Sequence, residues 1–293
     1  MSVSSASGGW GVFDSPSDFV KSACVPAPWK ALFMLLIDRA LLDRLGDICR
    51  AAGAEILSVY ASDFAVDDKS DGSPVTAADQ AAEAVILPAL AALAPEIPAI
   101  AEESVAAGHI PEISGARFWL IDPLDGTKEF IKKNGDFTVN IGLVEDRTPI
   151  AGAVYRPVSD TLWIGADGVG AWRIDGDGET ALAVRTADTD QGLTVIASAS
   201  HRSPELEAYI DNLPKVARSI SRGSSLKFCL IADGEADVYP RLSPTMEWDT
   251  AAGHAVVAAA GGRVETPDGA PLLYKKPDFR NGHFIVKAKG LNA

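Results

Sequence analysis

The stretch Trp119-Leu120-Ile121-Asp122-Pro123-Leu124-Asp125-Gly126-Thr127 constrains the fold more than any other part of this chain. Residues 118–121 read as a short buried strand. Asp122 sits at its end, and Pro123 presets φ for a tight turn. That turn aims Asp122, the Leu124 carbonyl and Asp125 at one point, an all-oxygen set of the kind hard divalent cations take. Gly126 permits close approach of backbone or substrate, and Thr127 adds a hydroxyl. Asp-Pro and Asp-Gly pairs also mark ordinary turns, so these residues alone leave a metal site and a plain turn both open.

The surroundings of this turn divide by pattern. Leu41, Leu45, Ile48, Ala52, Ile56 and Tyr60 recur at helical spacing, which predicts a helix over about 36–61. A polar, Asp-rich loop follows at 62–73. A second helix is expected over about 77–93, bent or broken near Pro88. Strands are expected at 99–101, 118–121, 137–144, 150–156 and 161–164. Short loops join the later ones, so they predict an antiparallel sheet. Gly168-Val169-Gly170 reads as a hairpin and not a nucleotide loop, since strands and no helix follow it. After Gly192 strands and helices alternate: strands at 194–197, 216–220 and 236–239, helices at 204–212, 224–232 and 250–260. The expected domains are a disordered tail at 1–33, rich in Ser, Gly and Pro, an α+β half at 34–190 and an α/β half at 191–293.

Composition excludes several function classes. A formal net charge of −14 argues against a nucleic-acid polymer as partner, because such binding needs Lys and Arg to neutralise phosphates. A single nucleotide stays allowed. Cys24, Cys49 and Cys229 are scattered, which fits a reducing compartment and neither a disulfide framework nor a zinc cluster. His109, His201, His254 and His283 lack metal-ligand spacing. No apolar run approaches a membrane span of about 18 residues. Lys21 and Lys30 precede the apolar run 31–37, but no small-residue cleavage site follows it, which disfavours a signal peptide. Met34 is a candidate start.

Three further acidic settings stand out. Asp79 opens a helix, Glu102-Glu103 ends the apolar strand 97–101, and Asp249 precedes Thr250-Ala251-Ala252-Gly253. Each has a plain alternative: charge in a helix's first turn, a solvated loop, and an N-cap. Spacing does not show whether they converge.

Glu102-Glu103-Ser104, Asp122-Pro123-Leu124-Asp125-Gly126-Thr127 and Trp248-Asp249-Thr250-Ala251-Ala252-Gly253 together resemble, in order and separation, the three signatures of the inositol monophosphatase superfamily. The likeness runs from about Ile37 to the C-terminus. Within the superfamily the chain is most similar to the CysQ-type 3'(2'),5'-bisphosphate nucleotidases. That similarity is carried by the segment from Lys69 to Asp79, Thr127-Lys128-Glu129-Phe130-Ile131, Phe137-Thr138-Val139-Asn140-Ile141, Gly223-Ser224-Ser225-Leu226-Lys227-Phe228-Cys229 and Tyr239-Pro240-Arg241. Ala199 and Arg222 depart from the pattern.

The resemblance implies an α/β fold of mixed α+β and α/β layers: a sugar-phosphatase-like αβαβα sandwich with a metal site between the halves. It implies two or three Mg²⁺ ions. Glu102, Asp122 and the Leu124 carbonyl would hold one, Asp122, Asp125 and Asp249 a second, and Asp79 would help with a third while hydrogen-bonding Thr127. Asp79, Glu102 and Thr127 become the catalytic candidates. Gly126, Thr127, Lys128, His201, Ser225, Lys227, Arg241 and Asp249 become the substrate-binding ones. Five converging carboxylates make sense only with cations, since two unit charges about 4 Å apart repel by about 4 kcal/mol at an effective dielectric of 20.

The implied reaction is hydrolysis of adenosine 3',5'-bisphosphate to AMP and phosphate by an in-line water. The implied setting is sulfur metabolism in the cytoplasm, with peripheral inner-membrane association allowed, and lithium should inhibit. The resemblance leaves monomer and homodimer both open. Competing readings are an inositol monophosphatase or fructose 1,6-bisphosphatase on the same fold, an aspartyl-phosphate phosphatase (disfavoured, because two residues and not one separate Asp122 from Asp125), and a non-catalytic nucleotide or metal sensor.

Overall fold

In the computed structural model the first helix, α1 (Arg39–Tyr60), buries Leu41, Leu42, Leu45, Cys49, Ala52 and Ile56 along one stripe. This is the face the periodicity marked. Each Leu or Ile side chain so buried contributes up to about 1.5–3 kcal/mol. Asp38 caps the helix, its Oδ1 accepting the Leu41 N–H at 2.9 Å. The structure describes residues 1–2, 35–61, 66–68, 74–197 and 203–291. The expected tail at 1–33, most of the polar loop at 62–73, the candidate start Met34, Cys24, Ala199 and His201 therefore lie outside the described residues, apart from Met1 and Ser2.

The chain continues through β1 (Val66–Asp68), β2 (Pro74–Thr76), α2 (Ala77–Leu93), β3 (Ala99–Ala101), α3 (Glu102–Ala106), β4 (Arg117–Asp125), α4 (Thr127–Ile131), β5 (Thr138–Glu145), β6 (Thr148–Arg156), β7 (Thr161–Ala166), β8 (Gly170–Asp175) and β9 (Gly178–Ala181). Then come β10 (Leu193–Ile196), α5 (Pro204–Asp211), β11 (Val216–Ile220), α6 (Leu226–Ala232), β12 (Val238–Arg241), β13 (Thr245–Met246), α7 (Ala251–Ala259), β14 (Arg263–Glu265), β15 (Arg280–Asn281) and β16 (Phe284–Lys287). α2 is assigned as one helix through Pro88. No helix among the described residues is long and apolar enough to cross a membrane.

Two sheets organise residues 36–293, which form one compact unit. The larger has seven strands in the order β3-β4-β5-β6-β7-β8-β9. It is antiparallel as expected, except that β3 joins β4 in parallel. The smaller runs β11-β10-β12-β16-β14. Its parallel part matches the alternating pattern, but β14 and β16 add antiparallel strands that the sequence reading did not contain.

The period-2 alternation of strands decides which helix covers which face. Tyr155 and Leu162 point at α1, close to Gly53 and Gly46. Gly152 and Gly165, three residues away on the same strands, point the other way, at α7. α6 and α7 then lie against the smaller sheet, and α5 with the residues just after it covers the far side through Tyr209, Ile210 and Leu213 around Leu193, Val195 and Val238. The result is the expected αβαβα sandwich.

One row of glycines sets how closely α7 approaches. Gly142, Gly152 and Gly165 are cross-strand partners on β5, β6 and β7. A Cβ on Gly152 would lie 2.5 Å from the Ala252 carbonyl oxygen, and one on Gly142 would lie 2.8 Å from the Ala252 nitrogen. These are helix backbone atoms and cannot swing aside. Gly152→Ala should therefore cost about 1–3 kcal/mol by overpacking, a fall of several degrees in Tm for a domain of this size. Calorimetry giving a wild-type Tm would contradict this close seating of α7.

Candidate metal centre and adjoining cavity

Strand register brings the first two carboxylates together. In the parallel pair, Ala101 of β3 faces Ile121 of β4. The next residues are Glu102, just past the end of β3, and Asp122, still within β4; they come side by side, since strands in a sheet lie about 4.8 Å apart. Glu102 thus opens a short helix, α3, instead of ending a strand in a solvated loop.

Asp122 corrects the expected turn. β4 runs on through Pro123 to Asp125. Asp122 pairs with Asn140 and Asp125 with Thr138, so three steps of β4 face two of β5. That is a bulge, a device that re-aims side chains. It explains how Asp122 and Asp125, which plain alternation would send to opposite faces, reach the same site. Gly126 then takes φ 95°, and a Cβ there would lie 2.9 Å from the Asp136 carbonyl oxygen. Only glycine fits this hinge between the bulge and α4. Tyr60, Phe130 and Phe137 pin α4 to the end of α1, with ring centroids 5.0–5.1 Å apart.

Asp249 arrives from the other side of the sheet, on the loop before α7. It is not the N-cap: that position is Thr250, and Asp249 Oδ2 instead accepts the Met246 N–H at 2.8 Å. One carboxylate oxygen from each of Glu102, Asp122 and Asp249 lies within 4.8 Å of the others. Burial, and then the charges of Glu102, Asp125, Asp249 and Asp79, push the Asp122 carboxyl well above the usual carboxylate range. Burial followed by Asp125 and Glu102 does the same to Asp249. The charges of the four other acids thus reach Asp122, which sequence spacing did not show.

Each of three carboxylates already has one oxygen engaged. Asp122 Oδ1 accepts the Leu124 N–H at 3.0 Å. Asp125 Oδ2 accepts from Ser225 Oγ at 2.9 Å. Asp249 Oδ2 accepts from Met246. Each has its second oxygen to offer to an ion. The donors are oxygen only, so the site fits a hard divalent ion. Thr127 Oγ1 donates to the Leu124 carbonyl at 3.4 Å, which places that hydroxyl beside a candidate ligand.

Ser225, one of the expected substrate residues, also makes structural contacts. Its buried hydroxyl contacts Asp125, accepts from Asn140 Nδ2 at 3.0 Å and lies 2.8 Å from the Asp249 carbonyl oxygen, to which it can also donate. It ties β4, β5 and the Asp249 loop together. Asn140 escaped the sequence reading as a site residue. Its signal was a lone amide inside an apolar strand, where Asn is disfavoured.

A cavity of about 320 Å³ adjoins the acids through Asp125 and Asp249. Gly126, Lys128, Ser225, Lys227 and Arg241 line it, as expected, and Lys132, Arg222 and Ser224 also line it. Arg222, read as a departure from the family pattern, is thus a cation on the cavity wall. Ser224 holds φ 44°, a left-handed conformation that costs a non-glycine residue about 1–3 kcal/mol and clusters at functional sites. Lys227, on α6, is buried and donates to the Ser224 carbonyl. Burial pushes its ammonium down to about 8, against the pull of Asp125.

Comparison with known proteins gives one consistent picture. The inositol monophosphatase family profile matches residues 41–292. The 3'(2'),5'-bisphosphate nucleotidase CysQ of Escherichia coli K12 is 45% identical over 249 residues, spanning 84% of this chain and 99% of that protein. The CysQ of Buchnera aphidicola is 42% identical over 85% of this chain and 94% of its own length. Among solved structures, CysQ from Bacteroides thetaiotaomicron superposes with a TM-score of 0.71 at 39% identity, covering 86% of this chain and 98% of that one. An inositol monophosphatase from Anabaena gives 0.69 at 26% identity, with 85% and 91% covered.

Proposed function

The chain belongs to the inositol monophosphatase family, and from that membership we propose that it is a Mg²⁺-dependent 3'(2'),5'-bisphosphate nucleotidase that hydrolyses adenosine 3',5'-bisphosphate to AMP and phosphate. The observation that carries the reading is the convergence of Asp79, Glu102, Asp122, Asp125 and Asp249 beside a cavity walled by Lys128, Lys132, Arg222, Lys227 and Arg241. Acids alone would repel a phosphate, and cations alone would only bind one. Side by side they suit a metal-assisted attack on one phosphate while a second is held.

Glu102, Asp122 and the Leu124 carbonyl would hold one ion. Asp122, Asp125 and Asp249 would hold a second, with Asp79 contributing to a third. Bound there, divalent ions supply an activated water and neutralise the leaving oxygen, the two chemical demands of phosphomonoester hydrolysis. Glu102 and Thr127 would orient the attacking water. The backbone N–H groups following Gly126 would be donors to the scissile phosphate. Lys227 and Arg241, with His201 as a further candidate, hold the unreacting phosphate. Ser225, on the cavity wall, also fixes Asp125.

Lys227 offers a direct test. Burial pushes its ammonium down to about 8, so kcat/KM for the bisphosphate is expected to fall above that pH, by up to about tenfold per unit. Lys227→Ala should raise KM for the bisphosphate more than for inositol monophosphate. Equal effects on both substrates would remove Lys227 from the specificity account.

A further inference from the structure

Glu83 lies on α2, one helical turn after Asp79 and on the same side of the helix. It is 7% exposed, although glutamate is rarely buried. Its two carboxylate oxygens reach across to α3. Oε2 accepts the Glu103 N–H at 3.0 Å, and Oε1 accepts from Ser104 Oγ at 2.5 Å. α3 has only five residues, and its N-cap, Ala101, makes no side-chain hydrogen bond. A capping side chain normally comes from the chain just before the helix. Here it comes from α2, twenty residues away in sequence.

From this contact we infer that Glu83 is a positioning residue: it holds the first turn of α3 against α2 and thereby fixes the direction in which Glu102 enters the carboxylate cluster. Glu102 is the first residue of α3, directly before the two residues Glu83 grips. α2 also carries Asp79, whose charge reaches Asp122. One helix therefore sets the spacing between two of the candidate ligands, one through its own side chain and one by tethering. Groups that hold ligands in place govern metal affinity nearly as strongly as the ligands do, typically by 10–100-fold. The inference rests on the metal reading of the cluster.

The test is Mg²⁺ binding by titration calorimetry on the full chain, with far-UV circular dichroism on each variant. Glu83→Ala should weaken Mg²⁺ binding about 10–100-fold. Glu83→Gln should recover most of that loss, because its amide oxygen still accepts from Glu103 and the Ser104 hydroxyl can rotate to accept from its NH₂. Ser104→Ala should lose less than Glu83→Ala. Wild-type Mg²⁺ affinity in a folded Glu83→Ala protein overturns the inference. Should Glu83→Ala fail to fold, Ser104→Ala decides: weaker binding with an unchanged spectrum supports the inference, and unchanged binding overturns it. A wild-type protein that binds no Mg²⁺ would overturn the metal reading itself, a distinct outcome.

Discussion

Asp122→Asn is expected to lower kcat by more than about 100-fold, since loss of an outer-shell partner alone costs 10–100-fold and Asp122 would serve two ions directly. Asparagine keeps the shape and can still accept the Leu124 N–H that Asp122 Oδ1 accepts now. What it removes is the charge and the second oxygen, and it places an NH₂ donor where a cation would sit. The fold should survive. Asp122 is buried among Glu102, Asp125, Asp249 and Asp79, all of which disfavour its ionised form. Removing that charge relieves repulsion in the metal-free protein, so its Tm should stay level or rise while activity collapses. Calorimetry and a phosphate-release assay on the same preparation check both halves. Loss of activity with an equal loss of Tm would make Asp122 a structural residue only.

Stripping divalent metal should make stability fall as pH rises, and restoring Mg²⁺ should abolish most of that slope. The sign follows from linkage. In the unfolded chain Asp ionises near 3.9. In the folded, metal-free protein burial and neighbouring acids hold the Asp122 and Asp249 protons to higher pH. Between those values the folded state binds more protons than the unfolded one, so the free energy of unfolding declines with pH. Each group contributes at most about 1.4 kcal/mol per pH unit in that window. Other buried groups also tilt the curve. Asp233, pushed up to about 6 by burial, lowers stability as pH rises, while His254, pushed down to about 3 by burial, raises it. The difference between Tm in Mg²⁺ and Tm in chelator isolates the cluster, and it should widen from about pH 4 upward. A gap independent of pH would mean that the acids do not share a cation.

How much of this was legible in the sequence differs from element to element. α1 was, because one apolar stripe sustained over 22 residues has no other helical explanation. The meander was, because its strands alternate and its turns are short. α3 and α4 were not: five residues make little more than one turn, too short for a period to register. β14 and β16 were missed for the same reason, at three and four residues. At the site, chain order exposed Asp122, Asp125 and Asp249 as candidates through resemblance, but the bulge that turns Asp122 and Asp125 together is a property of pairing with β5. Asn140, Ser225 and Glu83 act through partners 85, 100 and 21 residues away, respectively Ser225, Asp125 and Ser104. No local pattern encodes such contacts. They appear only when the strands and helices are assembled.

We propose that this carboxylate cluster and cation-walled cavity hydrolyse a nucleoside bisphosphate with Mg²⁺. Phosphate release should be measured on adenosine 3',5'-bisphosphate, inositol monophosphate and fructose 1,6-bisphosphate, each with Mg²⁺ and with chelator. The expected result is the highest kcat/KM on the adenosine bisphosphate and loss of turnover on all three in chelator. Faster hydrolysis of either sugar phosphate, or turnover that survives chelation, would contradict it.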